Sequence, residues 1–172
     1  MTNTHTTAEK VAIRCVQIMG DGTREEFEAL VHPDAVNRES AAEPPAARGA
    51  GPDAFFASAQ WLRAAYTEMS WEIHDVVSDG DLVVLHTTMH GKHVGTFVIY
   101  DADGRPAQAF PSTGKSFAAT QTHWCRISDG RLIEHWANRD DLGQATQLGW
   151  APPSPAYLLR MQVATRRARR DG

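Results

Sequence analysis

Three helical stretches are predicted in the first two-fifths of the chain, residues 8–19, 23–31 and 52–66, and apolar residues recur at helical spacing in the first and the third. The second stretch opens with Thr-Arg-Glu-Glu, the sequence of a capping box, and the third has a proline in its first turn. Residues 35–51 are rich in proline, glycine and alanine, which predicts a loop that is either a lid or a connector. The pattern therefore predicts three helices, with a long loop before the third.

Strand-forming patterns follow the third helix. Residues 70–77 and 81–90 flank one Asp-Gly turn, and residues 120–142 form a second hairpin around Ser-Asp-Gly. Two such hairpins, with β-prone residues 93–100 between them, predict a mostly antiparallel sheet. Two further helices are predicted, one ending at Gly149 and one starting at Ser154-Pro155. Helices followed by strands indicate an α+β fold with helices against one face of a curved sheet.

The second hairpin carries the candidate chemistry. With the Asp-Gly dipeptide as its turn, His123 pairs with Trp136 and Gln121 pairs with Asn138. One face then places an imidazole, an indole and two amides side by side, with the carboxylate of Asp140 at the open end. Such a face is typical of a pocket wall, although a register shifted by one residue would exchange the two faces.

Composition narrows the class of protein. Hydrophobic residues make up 42% and charged residues 22% of the 172 residues, as in a globular chain of one domain. The net charge of -4 gives no support for nucleic-acid binding, and the terminal arginines are typical of a solvated helix end. No apolar run approaches the roughly 18 residues of a membrane span, and the N-terminus lacks the pattern of a signal peptide. With two distant cysteines, Cys15 and Cys125, we expect a cytoplasmic protein without membrane or nucleic-acid partners.

Four segments together resemble a known family. They are Gly91-Lys-His-Val-Gly95, Pro111-Ser-Thr-Gly-Lys115, Ser128-Asp-Gly-Arg-Leu-Ile-Glu-His-Trp136, and Asp140-Asp-Leu-Gly143 with Gln147-Leu-Gly149. On these motifs the chain resembles the SnoaL-like polyketide cyclases, or ester cyclases, of the nuclear transport factor 2-like superfamily. The resemblance implies a cone-shaped α+β domain over residues 1–150, with helices on the concave face of the sheet. Residues 151–172 would form a C-terminal helix and basic tail of the same domain.

The resemblance also implies an activity. The family's cyclases close a ring by intramolecular aldol condensation without a metal or an organic cofactor, and a carboxylate at the end of this hairpin acts as acid and base. By its position after the Glu-His-Trp motif, that carboxylate would be Asp140, and the substrate a hydrophobic polyketide-like ester or ketone. The chain departs from shorter members of the family at residues 97–110 and in the Asn138-Arg-Asp-Asp141 run.

Each candidate residue also has a structural interpretation. Asp140 either acts as the base, with its pKa raised in an apolar pocket, or caps the next helix; if it is catalytic, Asp141 is the cap. His123, the second predicted catalytic residue, either donates to a substrate carbonyl or orients Asp140, or else it is a structural histidine.

Four further residues are predicted to contact the substrate. Gln121 and Asn138 are candidate amide donors, and Trp136 is an apolar wall of the pocket or core. His93, in its glycine-flanked motif, either borders the pocket or only turns the chain.

Other functions stay open on the same fold. An epoxide hydrolase would use Arg139 with Asp140 and Asp141, and a hydroxylase, an isomerase or a non-enzymatic binding domain would use the same pocket. A metal site is not expected, because His86 and His90 on one strand would stand about 13 Å apart.

A homodimer is also predicted. A sheet with helices on one side leaves an open face, on which aromatic residues such as Trp124 need cover. The pocket is expected on the opposite face, between the sheet and the N-terminal helices.

Overall fold

The computed structural model describes residues 5–171, which form five α-helices and seven strands. The helices are α1 (Thr7–Asp21), α2 (Arg24–Leu30), α3 (Gly51–Ala65), α4 (Asp141–Leu148) and α5 (Pro155–Asp171). The strands are β1 (Val31–Asn37), β2 (Tyr66–Asp79), β3 (Leu82–His93), β4 (Phe97–Tyr100), β5 (Pro106–Phe110), β6 (Ser116–Ser128) and β7 (Arg131–Arg139). Two 3₁₀ turns, Ser40–Ala42 and Pro45–Ala47, lie between β1 and α3.

Five strands form one curved sheet in the order β1-β7-β6-β3-β2, in which β1 and β7 are parallel and the other pairs antiparallel. β4 and β5 form a separate two-stranded sheet. In β3 the odd-numbered residues Val83, Leu85, Thr87 and Met89 are buried, so the strand's alternation presents one face to the core. Helices α1 and α3 pack on that face. The predicted α+β fold, with helices on the concave face of a mostly antiparallel sheet, is confirmed.

The helix ends follow the local sequence. Thr6 and Thr23 cap α1 and α2, and each forms a complete capping box with the glutamate three residues later. Gly149 ends α4 with a φ of 76°, a left-handed conformation that glycine adopts without a Cβ clash. The predicted capping box at Thr23 and the predicted helix end at Gly149 are confirmed.

A strand, β1, lies where a helix end and a loop were predicted, and that prediction was wrong. β1 runs parallel to β7 at the edge of the sheet, with Val31 opposite Leu132 and Asn37 opposite His135. The strand contains a proline, and its residue Asn37 meets His135, which lies 98 residues further along the chain. Local sequence therefore gave no sign of it, because the pairing is entirely long-range.

The β6–β7 hairpin contains a β-bulge that was not predicted. Ile127 pairs with Leu132 as expected, but Arg126 pairs with Glu134, so Ile133 is an extra residue in β7. From the bulge to the open end of the hairpin, every β7 residue is displaced by one position from the predicted register.

The bulge exchanges the two faces of β7 beyond it. Trp136 lies opposite Trp124 on the outer face, and Asn138 follows on the same side and is exposed. In the predicted register His135, as the neighbour of Trp136 on β7, would lie on the outer face, but it lies on the inner face. The predicted face of Trp136 and Asn138 was therefore wrong, because one extra residue reverses the alternation of side chains.

The C-terminal segment packs around the small β4–β5 sheet. The Trp150 ring lies against Phe97 and Phe110, with ring centroids 5.7 and 4.3 Å away. From α5, Thr165 Oγ1 accepts the backbone N–H of Ala109 at 3.0 Å. Residues 97–110 are thereby held between Trp150 and α5.

No helix within residues 5–171 is long and apolar enough to cross a membrane.

Candidate active site

A cavity of about 200 Å³ lies between the inner face of the large sheet and helices α1 and α3. Aromatic and aliphatic side chains form most of its wall: Val16, Met19, Phe55, Trp61, Leu62, Tyr66, Trp71, Met89, Phe97 and Leu132. The small sheet contributes Phe97, and the Trp61 indole N–H donates to Val98 O at 2.8 Å, which fixes that side of the wall. Such a lining suits a small molecule with an apolar body.

A chain of hydrogen-bonded polar side chains runs along the β6–β7 side of this cavity. Gln121 Oε1 accepts the Trp71 indole N–H at 3.1 Å and lies 2.8 Å from His123 Nε2. His123 Nδ1 lies 3.0 Å from His135 Nε2, and the two rings stack with centroids 5.3 Å apart. Both ring nitrogens of His123 are therefore engaged by neighbouring side chains.

The chain of hydrogen-bonded side chains continues onto β1 and the turn that follows it. His135 Nδ1 lies 3.3 Å from Asn37 Oδ1, and Asn37 Nδ2 donates to Glu43 Oε1 at 3.2 Å. Glu43 is 7% exposed, and its other oxygen, Oε2, is buried without a hydrogen-bond partner among residues 5–171. The wall thus connects a buried carboxyl group to a pair of imidazoles.

Burial changes the proton affinities of these groups. It lowers the pKa of His123 and of His135, and the positive charge of Arg139 lowers both further. Burial raises the pKa of Glu43, although the nearby Ser58 hydroxyl and the charge of Arg139 act in the opposite direction. Neutral imidazoles beside a carboxyl group that holds its proton more tightly are typical of acid/base sites.

A second polar group lies on the α4 side of the cavity. Gln144 Nε2 donates to the Tyr66 hydroxyl at 3.4 Å, and Asp141 also lines this side. Burial, with the nearby carboxylate of Asp141, raises the pKa of the Tyr66 hydroxyl, so it stays a neutral donor.

Arg139 forms an ion pair with Glu39 at 2.7 Å.

The structure brings together only some of the predicted site residues. Gln121 and His123 line the cavity and contact each other. Trp136 and Asn138 lie on the outer face of the sheet, away from it, because of the bulge in β7. The roles predicted for Gln121 and His123 stay predictions, now with both side chains in the cavity wall.

Asp140 occupies the cap position at the start of α4. Its Oδ1 accepts the backbone N–H of Gly143 at 2.8 Å, and a Cβ on Gly143 would collide with this carboxylate. Asp141 was predicted as the cap if Asp140 is catalytic. In the structure Asp141 lines the cavity, whereas Asp140 does not. Asp140 is exposed and outside the lining, so its placement on a pocket face was wrong. Its catalytic role stays a prediction.

His93 is fully buried beside the cavity but is not part of its lining. The Pro111-Ser-Thr-Gly-Lys115 loop surrounds it. The His93 carbonyl accepts from Ser112 Oγ at 3.1 Å and Gly114 N at 2.9 Å, and Thr113 Oγ1 lies 3.3 Å from Nδ1. Two of the motifs that carry the family resemblance are therefore joined here by structural hydrogen bonds.

Three members of the polar chain, Asn37, Glu43 and His135, were not predicted as site residues. His135 stands in the Glu-His-Trp motif, and recognising the bulge would have assigned it to the inner face. Asn37 and Glu43 lie in the stretch predicted as a loop, where the proline-rich composition carries no sign that a glutamate is buried.

Within residues 5–171, no three His, Cys, Asp or Glu side chains are grouped so that they could hold a metal ion. His86 and His90 sit on the same side of β3, whereas His93 is in the interior.

Comparisons with known proteins agree with this architecture. The chain is 30% identical over 143 residues to the aklanonic acid methyl ester cyclase DnrD of Streptomyces peucetius, covering 83% of this chain and 90% of the relative. It is 27% identical over 135 residues to the nogalonic acid methyl ester cyclase of Streptomyces nogalater, covering 78% and 91%. The solved structure of TsrD from Streptomyces laurentii superposes with a TM-score of 0.65 at 21% identity, covering 86% of this chain and 98% of TsrD.

The family comparison covers most of the chain. The family described as "SnoaL-like polyketide cyclase" matches residues 9–148, a range that runs from α1 through the whole sheet to the end of α4. The chain therefore belongs to the SnoaL-like polyketide cyclase family.

Proposed function

We propose that this protein is a polyketide cyclase that closes a ring by intramolecular aldol condensation inside the cavity. The observation that carries the proposal is the polar chain from Glu43 to Gln121 along one wall of an otherwise apolar space. Aldol closure needs a group to take a proton beside a carbonyl and donors to hold the enolate, and this wall supplies both kinds of group.

The proposed substrate is a polyketide methyl ester with a ketone within reach of its acidic carbon. Two relatives are named as cyclases of such esters, of aklanonic and of nogalonic acid. The aromatic wall around Trp61, Tyr66 and Phe97 would hold the apolar rings, while Gln121 and His123 would orient the carbonyl groups. The proposed reaction moves protons and forms one carbon–carbon bond, so it requires no redox or organic cofactor.

The epoxide hydrolase alternative has less support. It would need Arg139, Asp140 and Asp141 around one water molecule. Arg139 is instead paired with Glu39, and Asp140 accepts from the α4 backbone. Hydroxylase, isomerase and non-enzymatic binding functions would use the same cavity, and turnover distinguishes the non-enzymatic function from the enzymes.

A screen for ring closure tests the proposal. Purified protein is incubated with a panel of linear and polycyclic polyketide methyl esters, and the products are separated by liquid chromatography with mass detection. Aldol closure alone leaves the mass unchanged and shifts retention and absorbance, whereas dehydration removes one water. A variant with the cavity filled, Val16→Phe, should lose activity, and Val163→Phe on the exposed side of α5 should keep it. Thermal stabilisation by an ester without conversion would favour the binding-domain alternative.

We also propose that the protein is a homodimer that assembles through the outer face of the large sheet. Four directly paired residues, Val77, Val84, Trp124 and Trp136, form an apolar row across β2, β3, β6 and β7. Val77 is 64% exposed in the single chain, and a second copy would cover it. A cytoplasmic location is proposed as well, since both cysteines are free and buried.

A further inference from the structure

At the Gln121 end of the polar chain of side chains, it is fixed which atoms donate hydrogen bonds and which accept them. Gln121 Oε1 accepts the indole N–H of Trp71. Because an indole nitrogen can only donate, the Gln121 side-chain atom that faces Trp71 must be the amide oxygen. His123 Nε2 lies 2.8 Å from the same oxygen and must carry a hydrogen to bond it. Any further hydrogen on His123 therefore belongs to Nδ1, which faces His135.

At the other end, Asn37 Oδ1 accepts the backbone N–H of Glu39 at 3.3 Å, so His135 Nδ1 must carry a hydrogen to bond the same oxygen. Between the rings, His123 Nδ1 and His135 Nε2 lie 3.0 Å apart and need one hydrogen between them. In this first arrangement, three hydrogens on two imidazoles would give the pair one positive charge, which burial disfavours. An ionised Glu43, bonded to Asn37, balances that charge.

A second arrangement holds the same number of protons without separated charge. If Glu43 is protonated and the Asn37 amide turns over, the carboxyl O–H donates to Asn37 Oδ1 and Asn37 Nδ2 donates to His135 Nδ1. His135 then donates to His123, and both imidazoles are neutral. This arrangement gives up the bond from Glu39 N–H, and it suits the burial of all three titratable groups.

We propose that Glu43 is the catalytic carboxyl of the cavity, and that Asn37 links it to the His123–His135 pair so that one proton is shared among them. Glu43 lines the cavity, and its Oε2 is not used by any hydrogen bond among residues 5–171. Removing the shared proton leaves two acceptors facing each other. They are either His123 Nδ1 and His135 Nε2, 3.0 Å apart, or His135 Nδ1 and Asn37 Oδ1, 3.3 Å apart. The proton-poor chain is therefore a base, because gaining a proton removes this unfavourable contact.

The reaction step, which rests on the proposed cyclase function, balances without any further reagent. The Glu43 carboxylate takes the proton from the carbon between the ester and a neighbouring carbonyl, and the C–H electron pair becomes the enolate. The enolate carbon then bonds to the ketone carbon, and the ketone oxygen becomes an alkoxide. That alkoxide takes the proton from Glu43, which restores the carboxylate.

The other charged groups that face the chain are Arg139 of β7 and Glu39 of the loop, and these two form an ion pair. Ser58, which faces Glu43 from α3, is uncharged. Burial is the largest influence on Glu43 and raises its pKa above the ordinary value of 4.5. The active, proton-poor form should therefore appear as the pH rises through a range above that of an exposed glutamate.

The first experiment is Glu43→Gln in the full chain, assayed on the ester found by the screen. The amide keeps the volume and can still bond to Asn37, but it cannot take up a proton. The expected result is a fall in kcat of about 10²- to 10⁴-fold with little change in KM, and loss of the acid limb of the wild-type pH profile. Glu28→Gln, on the exposed side of α2 where Glu28 pairs with Arg24, should behave as wild type. Wild-type kcat in a folded Glu43→Gln protein would overturn the proposal while leaving the cyclase function intact.

The second experiment needs no substrate. Ring ¹⁵N signals of His123 and His135 and the Glu43 carboxyl ¹³C signal are followed by NMR between pH 4 and 9. The expected result is one common midpoint for the carboxyl and the imidazole pair, and disappearance of the ring transition in Glu43→Gln. A ring transition that keeps its midpoint in Glu43→Gln would refute proton sharing. If no ester is converted, the proposed function fails, and this measurement still decides whether the proton is shared.

Discussion

The indole of Trp124 stacks on that of Trp136, with ring centroids 5.8 Å apart and ring planes within 6° of parallel. The Arg38 guanidinium lies 4.4 Å from the Trp136 centroid on the same outer face. This stacking exists because the extra residue in β7 turns Trp136 outward, and the same displacement turns His135 toward His123. One bulge thus forms both the outer aromatic row and the inner imidazole pair.

The outer row leads to a prediction about assembly. Val77→Lys should convert the proposed dimer to a monomer, because it places a charge in the row that a second copy would cover. The fold should be unaffected, since substitutions at exposed positions change stability by roughly 0.5 kcal/mol or less. Analytical ultracentrifugation at micromolar concentration measures the change. Leu142→Lys, at a 72% exposed position on α4, is the matched control and should stay dimeric. A wild-type monomer at this concentration would contradict the proposal.

Asp140→Asn distinguishes the two roles of Asp140. Asparagine caps helices about as well as aspartate, so stability and turnover should both stay near wild type if the carboxylate only caps α4. Asp140→Ala should lower the free energy of unfolding by about 1 kcal/mol through loss of the cap. Denaturant unfolding and the cyclase assay measure the two effects. A loss of turnover of about 10²-fold in a stably folded Asp140→Asn protein would restore the catalytic role.

The buried imidazoles predict loss of stability in acid. In the unfolded chain a histidine takes up a proton near pH 6.5, whereas burial lowers the folded pKa of His123 and His135. Below about pH 6.5 the unfolded state therefore binds more protons, and the free energy of unfolding falls as pH falls, by at most about 1.4 kcal/mol per pH unit for each imidazole. Glu43 has the opposite effect. Between pH 4.5 and the folded pKa of Glu43 the folded state binds more protons, so the raised pKa makes the free energy of unfolding rise as the pH falls.

Urea unfolding at intervals between pH 7 and pH 5 checks this slope. His135→Gln should reduce it, because glutamine takes up no proton in either state. His86→Gln, at an exposed position on β3, should leave it as in wild type. A wild-type free energy of unfolding that does not change over this range would contradict the expected burial of neutral imidazoles.

Gly95 supports a prediction about packing. The backbone N–H groups of Val94 and Gly95 both donate to Ala65 O at 2.9 Å, and a Cβ on Gly95 would collide with the Ala64 carbonyl oxygen. Gly95→Ala should therefore lower the free energy of unfolding by about 1–3 kcal/mol, as overpacking does. Gly49→Ala, whose Cβ would meet its nearest neighbour at 3.8 Å, should change stability little. Thermal unfolding of the two variants compares them directly, and equal melting temperatures would refute the steric explanation.

Much of the fold could be predicted from the sequence because its signals are local. The capping box at Thr23, the helix end at Gly149 and the Asp-Gly turn between β6 and β7 each depend on a few consecutive residues. Gln121 and His123 were assigned to the inner face because β6 alternates regularly, with both residues buried. The family resemblance added the arrangement of helices on the concave face of the sheet.

The sequence by itself therefore determined the helices, the hairpins, the α+β class and the strand that supplies Gln121 and His123. Only the tertiary structure decided that His135 joins them, that Asn37 and Glu43 complete the chain, and that Asp140 caps α4. The physical reason is distance along the chain: Asn37 meets His135 across 98 residues, through a parallel strand pair that no local pattern announces. A bulge of one residue is likewise set by how two strands pair and pack, and it decides which of two neighbouring side chains faces the cavity.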